Sequence, residues 1–212
     1  MDIRKVVMEN PLLAIMRNVP LNKTVPYAEA IVKGGVRFFE VAMNSKDACE
    51  QIRILNDHFG DDVYIGAGTA ITTKRVKDAV SVGAKFILTP SADRDVVLYC
   101  EENNIAMLPG VMTPTDVSFC LQHGFNTLKL FPAGELPAGY IKSLKGPFDE
   151  AEYVAIGGVN PDNIGEFFKQ GYIGVGLASS IMPKMFVEEN RFEEGSAYVA
   201  NLLSIIRNAG NR

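Results

Sequence analysis

Helix stops recur through this chain at a nearly fixed interval. Gly35, Gly60, Gly83, Asn104, Gly124, Gly146 and Gly171 each close a run of helix-forming residues, roughly 20–25 residues apart. Glycine and asparagine take the left-handed conformation that ends a helix more readily than other residues. Each stop is followed within a few residues by a short apolar run bounded by turn residues, the pattern of a buried strand. The strands fall over 12–17, 38–43, 63–67, 86–90, 106–109, 127–131, 154–156 and 173–177. The helices fall near 24–33, 48–59, 72–82, 93–103, 115–123, 138–144, 161–170 and 191–206, with Asn44-Ser45 capping the second. Regular strand–helix alternation forces a mostly parallel sheet. Eight units of even length favour a closed (β/α)8 TIM barrel of the α/β class. The competitor is an open doubly wound sheet, which usually has a glycine-rich loop after its first strand. Here that turn is Arg17-Asn18-Val19-Pro20.

The organisation expected is one domain over residues 1–212, with a short N-terminal helix over 1–9. No linker or low-complexity tract divides it. A chain of 212 residues, 47% hydrophobic, supports a large core. A net charge of −4 without arginine clusters argues against a nucleic-acid partner. No signal peptide or membrane span is visible. The three cysteines, Cys49, Cys100 and Cys120, fall on helices without metal-ligand spacing, which suits reduced thiols in a cytoplasmic protein. The two histidines, His58 and His123, lie at helix C-termini without partner motifs, so neither a metal site nor a serine–histidine triad is expected.

Two ionisable residues interrupt the apolar strands. Lys129 lies within Thr127-Leu128-Lys129-Leu130-Phe131-Pro132. Burial disfavours the ammonium and lowers its pKa, and a neutral lysine amine condenses with a carbonyl to form a Schiff base. A lysine that snorkels from a strand end, or pairs with a buried carboxylate, is the structural alternative. Glu40 lies among Phe38, Phe39, Val41 and Met43. A buried glutamate suits general acid–base work; a structural ion pair with Lys129 is the alternative. In a barrel the strand C-termini carry the active site. Those ends also present Arg17, Asn44, Thr69, Pro90, Phe131, Gly157-Gly158 and Ser179. Glycines after the last two strands let backbone N–H groups approach a phosphate, or simply make turns. Arg17 suits a carboxylate, or a plain surface turn. Thr69 offers a hydroxyl, or caps the following helix.

Several segments together are similar to a known family. Glu40-Val41, Gly66-Ala67-Gly68-Thr69, Pro109-Gly110-Val111-Met112-Thr113-Pro114-Thr115, Lys129-Leu130-Phe131-Pro132-Ala133 and Gly157-Gly158-Val159 resemble the 2-keto-3-deoxy-6-phosphogluconate / 4-hydroxy-2-oxoglutarate aldolases. The resemblance implies a class I aldolase that uses neither metal nor cofactor and assembles as a homotrimer of barrels. Its substrate would be a phosphorylated keto acid, with pyruvate and glyceraldehyde 3-phosphate as products. It makes Lys129 the Schiff-base lysine and Glu40 the general acid–base. Thr69 would hold the pyruvate carboxylate, Gly157, Gly158 and Ser179 the phosphate, and Phe131 and Pro90 would line the pocket. Many members carry an arginine where this chain has Asn44. Asn44-Ser45, Arg17 and Ile156 look more like the branch acting on 2-keto-3-deoxy-6-phosphogalactonate, and Ala178 stands where a glycine is usual. A non-covalent phosphate-binding barrel isomerase or synthase, and a non-catalytic sugar-phosphate sensor, are the alternatives; both leave Lys129 without a role.

Overall fold

The computed structural model describes residues 1–210, so the final two residues of the expected 1–212 domain lie outside it. The strands are β1 (Leu12–Met16), β2 (Phe38–Ala42), β3 (Tyr64–Gly68), β4 (Ile87–Leu88), β5 (Met107–Leu108), β6 (Gly110–Val111), β7 (Thr127–Leu130), β8 (Glu152–Ile156) and β9 (Gly174–Leu177). All pair in parallel, in the order β5-β4-β3-β2-β1-β9-β8-β7-β6. Segments β5 and β6 belong to one stave, interrupted at Pro109, which has no N–H to give the ladder. The lower half pairs with β4 and the upper half with β7, so this stave closes the cylinder. The Pro109 carbonyl still accepts from the Lys129 N–H at 2.9 Å. The Gly110 N–H goes to the buried Thr89 hydroxyl at 3.1 Å. Nine strand segments therefore make the eight staves of a (β/α)8 barrel.

The helices are α1 (Ile3–Glu9), α2 (Thr24–Lys33), α3 (Ala48–Phe59), α4 (Thr73–Ser81), α5 (Arg94–Glu102), α6 (Pro114–Gln122), α7 (Tyr140–Lys145), α8 (Ile164–Lys169), α9 (Lys184–Glu188) and α10 (Phe192–Gly210). No helix among the described residues is long and apolar enough to cross a membrane. Side chains two apart on a strand share a face, and this parity separates two apolar layers. Leu12, Ala14, Met16, Phe39, Val41, Ile65 and Ala67 face outward against the helices. Leu13, Ile15, Phe38, Phe86, Leu88, Leu108, Val154 and Ile156 face the barrel axis. Phe38 and Phe86 lie with ring centroids 4.8 Å apart inside. Gly66 makes room for them: a Cβ there would sit 2.3 Å from the Phe86 ring. Helix α1 closes the bottom. Asp2 caps it through the Lys5 N–H, and Val6 and Val7 join the axial cluster.

Local chemistry explains most element ends. Six of the seven helix stops have positive φ; Gly146, at φ −56°, does not, because α7 ends in right-handed backbone. The Thr113-Pro114-Thr115-Asp116 segment is a capping box: the Thr113 hydroxyl accepts from the Asp116 N–H, and the Asp116 carboxylate accepts from the Thr113 N–H. Three expectations need correction. Helix α3 is preceded by Asp47, not capped by Asn44-Ser45; instead the Ser45 hydroxyl accepts from the Asn18 N–H at 3.0 Å, tying two mouth loops together. Thr72, not Thr69, caps α4. Helix α8 begins at Ile164 rather than 161, because an asparagine turn consumes the intervening residues: Asn160 accepts from the Asp162 and Asn163 N–H groups.

Candidate active site

One cavity of about 620 Å³ opens at the C-terminal end of the barrel. Arg17, Glu40, Thr69, Pro90, Lys129, Phe131, Gly157, Gly158 and Ser179 all line it. Strand parity delivers Glu40 and Lys129 from opposite sides of the sheet order to one interior. The axial cluster fills the barrel beneath them, so the space exists only at the mouth.

Lys129 is 5% exposed. Burial pushes its amine below the usual lysine range; the Glu40 charge opposes this and Arg17 reinforces it. The Nζ atom lies 5.3 Å from the Phe131 ring centre. Glu40 is 1% exposed, and its Oε2 atom has no protein hydrogen-bond partner. No ion pair within 4.0 Å joins Glu40 to Lys129 among the described residues. The structural ion pair that the sequence left open is therefore absent. What remains is a desolvated amine near a carboxylate with a free acceptor, an arrangement costly to stability and suited to proton transfer. Gly68 makes the slot for that carboxylate: a Cβ there would lie 1.5 Å from Glu40 Oε1.

At one edge of the mouth Arg17 Nη2 donates to Thr69 Oγ1 at 3.2 Å. Thr69 has φ +56°. At the opposite edge Gly157 and Gly158 have φ +88° and +75°. Their carbonyls are tied down, Gly157 by the Gly134 N–H at 2.7 Å and Gly158 by Asn163 Nδ2 at 2.9 Å. Ser180 Oγ donates to the Val159 carbonyl at 3.3 Å, joining this turn to the loop that presents the exposed Ser179. Between the edges, Ile15 and Ile156 converge over Gly176, where a Cβ would meet both within 3.2 Å. The floor is thus apolar, and the two rims are polar.

Asn44 is the one expected site residue that the structure does not bring to the cavity. Strand β2 ends at Ala42, whose carbonyl accepts from the Ser45 N–H at 2.9 Å, and Asn44 sits exposed on that turn. Alternation of faces holds only inside a strand, so Asn44, two residues past the end of β2, is not held to the inward face of Glu40. The packing roles of Gly68, Ile15 and Gly176 went unnoticed in the sequence, where Gly68 enters only within the Gly66-Ala67-Gly68-Thr69 motif. A glycine inside a strand signals close approach by another group, and for Gly68 that signal was present.

Comparison with known proteins fits this geometry. The family model "KDPG and KHG aldolase" matches residues 3–197. The chain is 30% identical over 191 residues to the 2-dehydro-3-deoxy-6-phosphogalactonate aldolase of Escherichia coli (strain K12), covering 89% of this chain and 93% of that protein. It is also 30% identical over 185 residues to the 2-dehydro-3-deoxy-phosphogluconate aldolase of Haemophilus influenzae, covering 86% of each. Among solved structures, KDPG aldolase from Legionella pneumophila, with pyruvate captured at low pH as a covalent carbinolamine intermediate, superposes with a TM-score of 0.87. That match is 26% identical and covers 95% of this chain and 98% of the other. Sequence and structure agree over nearly the whole length, and the chain belongs to the KDPG and KHG aldolase family.

Proposed function

We propose that this protein is a class I aldolase that cleaves a 2-keto-3-deoxy-6-phospho sugar acid, of the gluconate or galactonate type, to pyruvate and glyceraldehyde 3-phosphate. The observation that carries the reading is Lys129 itself. Its buried, destabilised ammonium shares a cavity with the unpartnered Oε2 of Glu40. The neutral Lys129 amine attacks the C2 ketone, and loss of water from the carbinolamine leaves an iminium. Glu40 takes the proton of the C4 hydroxyl. The C3–C4 bonding pair moves toward the iminium nitrogen, glyceraldehyde 3-phosphate leaves, and an enamine remains. Glu40 returns the proton to C3, and water hydrolyses the iminium to release pyruvate and the free amine. Every proton and electron pair is accounted for without a cofactor.

The remaining roles follow the two polar rims. Arg17 and Thr69 receive the carboxylate. Gly157, Gly158 and Ser179 receive the phosphate, while Pro90 and Phe131 wall the cavity; Asn44 takes no part. The protein acts as a single-domain homotrimer in the cytoplasm. Its free thiols, Cys49, Cys100 and Cys120, suit that reducing compartment, and a molar-mass measurement in solution tests the trimer. Borohydride reduction in the presence of pyruvate tests the chemistry. One stable adduct is expected, on the peptide containing 128–132. An adduct spread over surface lysines refutes the reading. Assaying both phosphorylated epimers decides which sugar acid is preferred.

A further inference from the structure

Thr69 holds a conformation that its side chain resists. A β-branched residue at φ +56° is a genuine backbone outlier, because Cβ crowds the neighbouring carbonyl. Such strain persists only where surrounding contacts over-determine it. The peptides on either side are fixed: the Gly68 carbonyl accepts from the Met43 N–H at 2.8 Å, and the Ala70 N–H donates to the Leu88 carbonyl at 3.4 Å. The Thr69 carbonyl is held by Arg75, whose Nη1 donates to it at 3.1 Å.

Arg75 occupies a position that the helix itself does not favour for a cation. It sits in the first turn of α4, where the positive end of the helix dipole disfavours a cation, and that turn contains no acidic residue. Lys74 beside it is neutralised by Asp78 at 2.7 Å. No carboxylate lies within ion-pair distance of Arg75 among the described residues. Its one side-chain hydrogen bond among the described residues goes to Thr69. Two guanidinium groups therefore converge on one residue: Arg17 on the hydroxyl and Arg75 on the carbonyl.

We infer that Arg75 is a positioning residue for the carboxylate corner, locking Thr69 in its left-handed conformation so that its hydroxyl and Arg17 are presented together. Arg75 does not line the cavity and touches no reacting atom. The inference rests on the aldolase reading, and wild-type imine trapping tests that reading separately. The inference itself is tested by ratios between variant and wild type.

Arg75→Met should raise KM for pyruvate in the condensation direction about tenfold, the loss expected for a charge-assisted hydrogen bond. KM for the phosphorylated aldehyde and kcat should stay within about twofold, because the phosphate rim is remote from Thr69. The pyruvate concentration giving half-maximal borohydride adduct should rise in parallel. The effect should survive about 1 M salt, where the Debye length is about 3 Å and distant charge is screened. Arg75→Lys, which keeps one donor, should recover part of the loss and is the variant to use if Arg75→Met folds poorly. In a Thr69→Gly background, where left-handed backbone is free of strain, removing Arg75 should add less than about twofold. Unchanged pyruvate KM, an effect abolished by salt, equal losses for both substrates, or additive losses in the double variant would each overturn the inference.

Discussion

Gly68→Ala gives a direct measure of what Glu40 contributes. Gly68 lies in right-handed or extended backbone that alanine tolerates, since its φ is not in the positive region. The added methyl would nevertheless lie 1.5 Å from Glu40 Oε1, 2.0 Å from Cδ and 2.4 Å from Cγ. Non-bonded carbons prefer about 3.5–4.0 Å, so the carboxylate must withdraw by about 2 Å. A misplacement of about 1 Å in an active site can cost about 10²-fold, and a positioned proton shuttle contributes about 10²–10⁴-fold. The expected loss in kcat is therefore about 10²–10⁴-fold, close to that of Glu40→Gln. Lys129 lies on another stave and is not displaced. Borohydride should still trap pyruvate on Lys129, while exchange of the pyruvate C3 protons for deuterium, followed by proton NMR, should nearly stop. Exchange and turnover within about threefold of wild type, in a normally folded variant, would falsify the assignment of proton transfer to Glu40.

Arg17→Ala should raise KM for pyruvate about ten- to hundredfold, as expected for losing a charge-assisted hydrogen bond; steady-state condensation kinetics check this. Gly158→Ala would bring a Cβ to 2.8 Å from Gly134 Cα at φ +75°, forcing backbone to move. It should weaken the phosphorylated aldehyde about tenfold or more and spare pyruvate, measured as a split between the two KM values. Lys129→Met should abolish turnover yet raise unfolding stability by about 1–3 kcal/mol near neutral pH, because a buried polar group is replaced by an apolar one. The folded Lys129 pKa lies below the ordinary 10.5, so the unfolded chain binds the extra proton between the two values. Wild-type stability should therefore rise with pH across that interval, and denaturant titrations of Lys129→Met should lack that rise.

The barrel was legible because glycine and asparagine mark helix ends through a backbone preference that needs no tertiary information. The Glu40 and Lys129 pair was legible because a charge inside an apolar strand is conspicuous, and parity then assigns a face. Asn44 escaped because a turn's hydrogen bond, not side-chain character, ends β2. The break at Pro109 could be anticipated from its missing N–H, but its use as the closure of the cylinder depends on which neighbours each half meets. The late start of α8 follows from side-chain bonds between Asn160 and its neighbours, which compete with the helix. Arg75 was invisible: a first-turn arginine looks like an exposed helix residue until the Thr69 carbonyl is placed beside it.

The plug at the bottom of the barrel has a bearing on how the chain comes together during synthesis. Helix α1 is made before any strand, yet its seat includes the last one: Gly174 of β9 lies where an added Cβ would be 2.8 Å from Val7 Cγ1. Seven residues are too few to hold a helix in water alone. On a translating ribosome, then, Val6 and Val7 emerge ahead of the nine barrel strands and find their buried seat only when nearly the whole cylinder has followed. The floor is laid last by a segment that precedes every stave, and until then the axial cluster stays open from below, to water and to any chaperone that binds apolar chain.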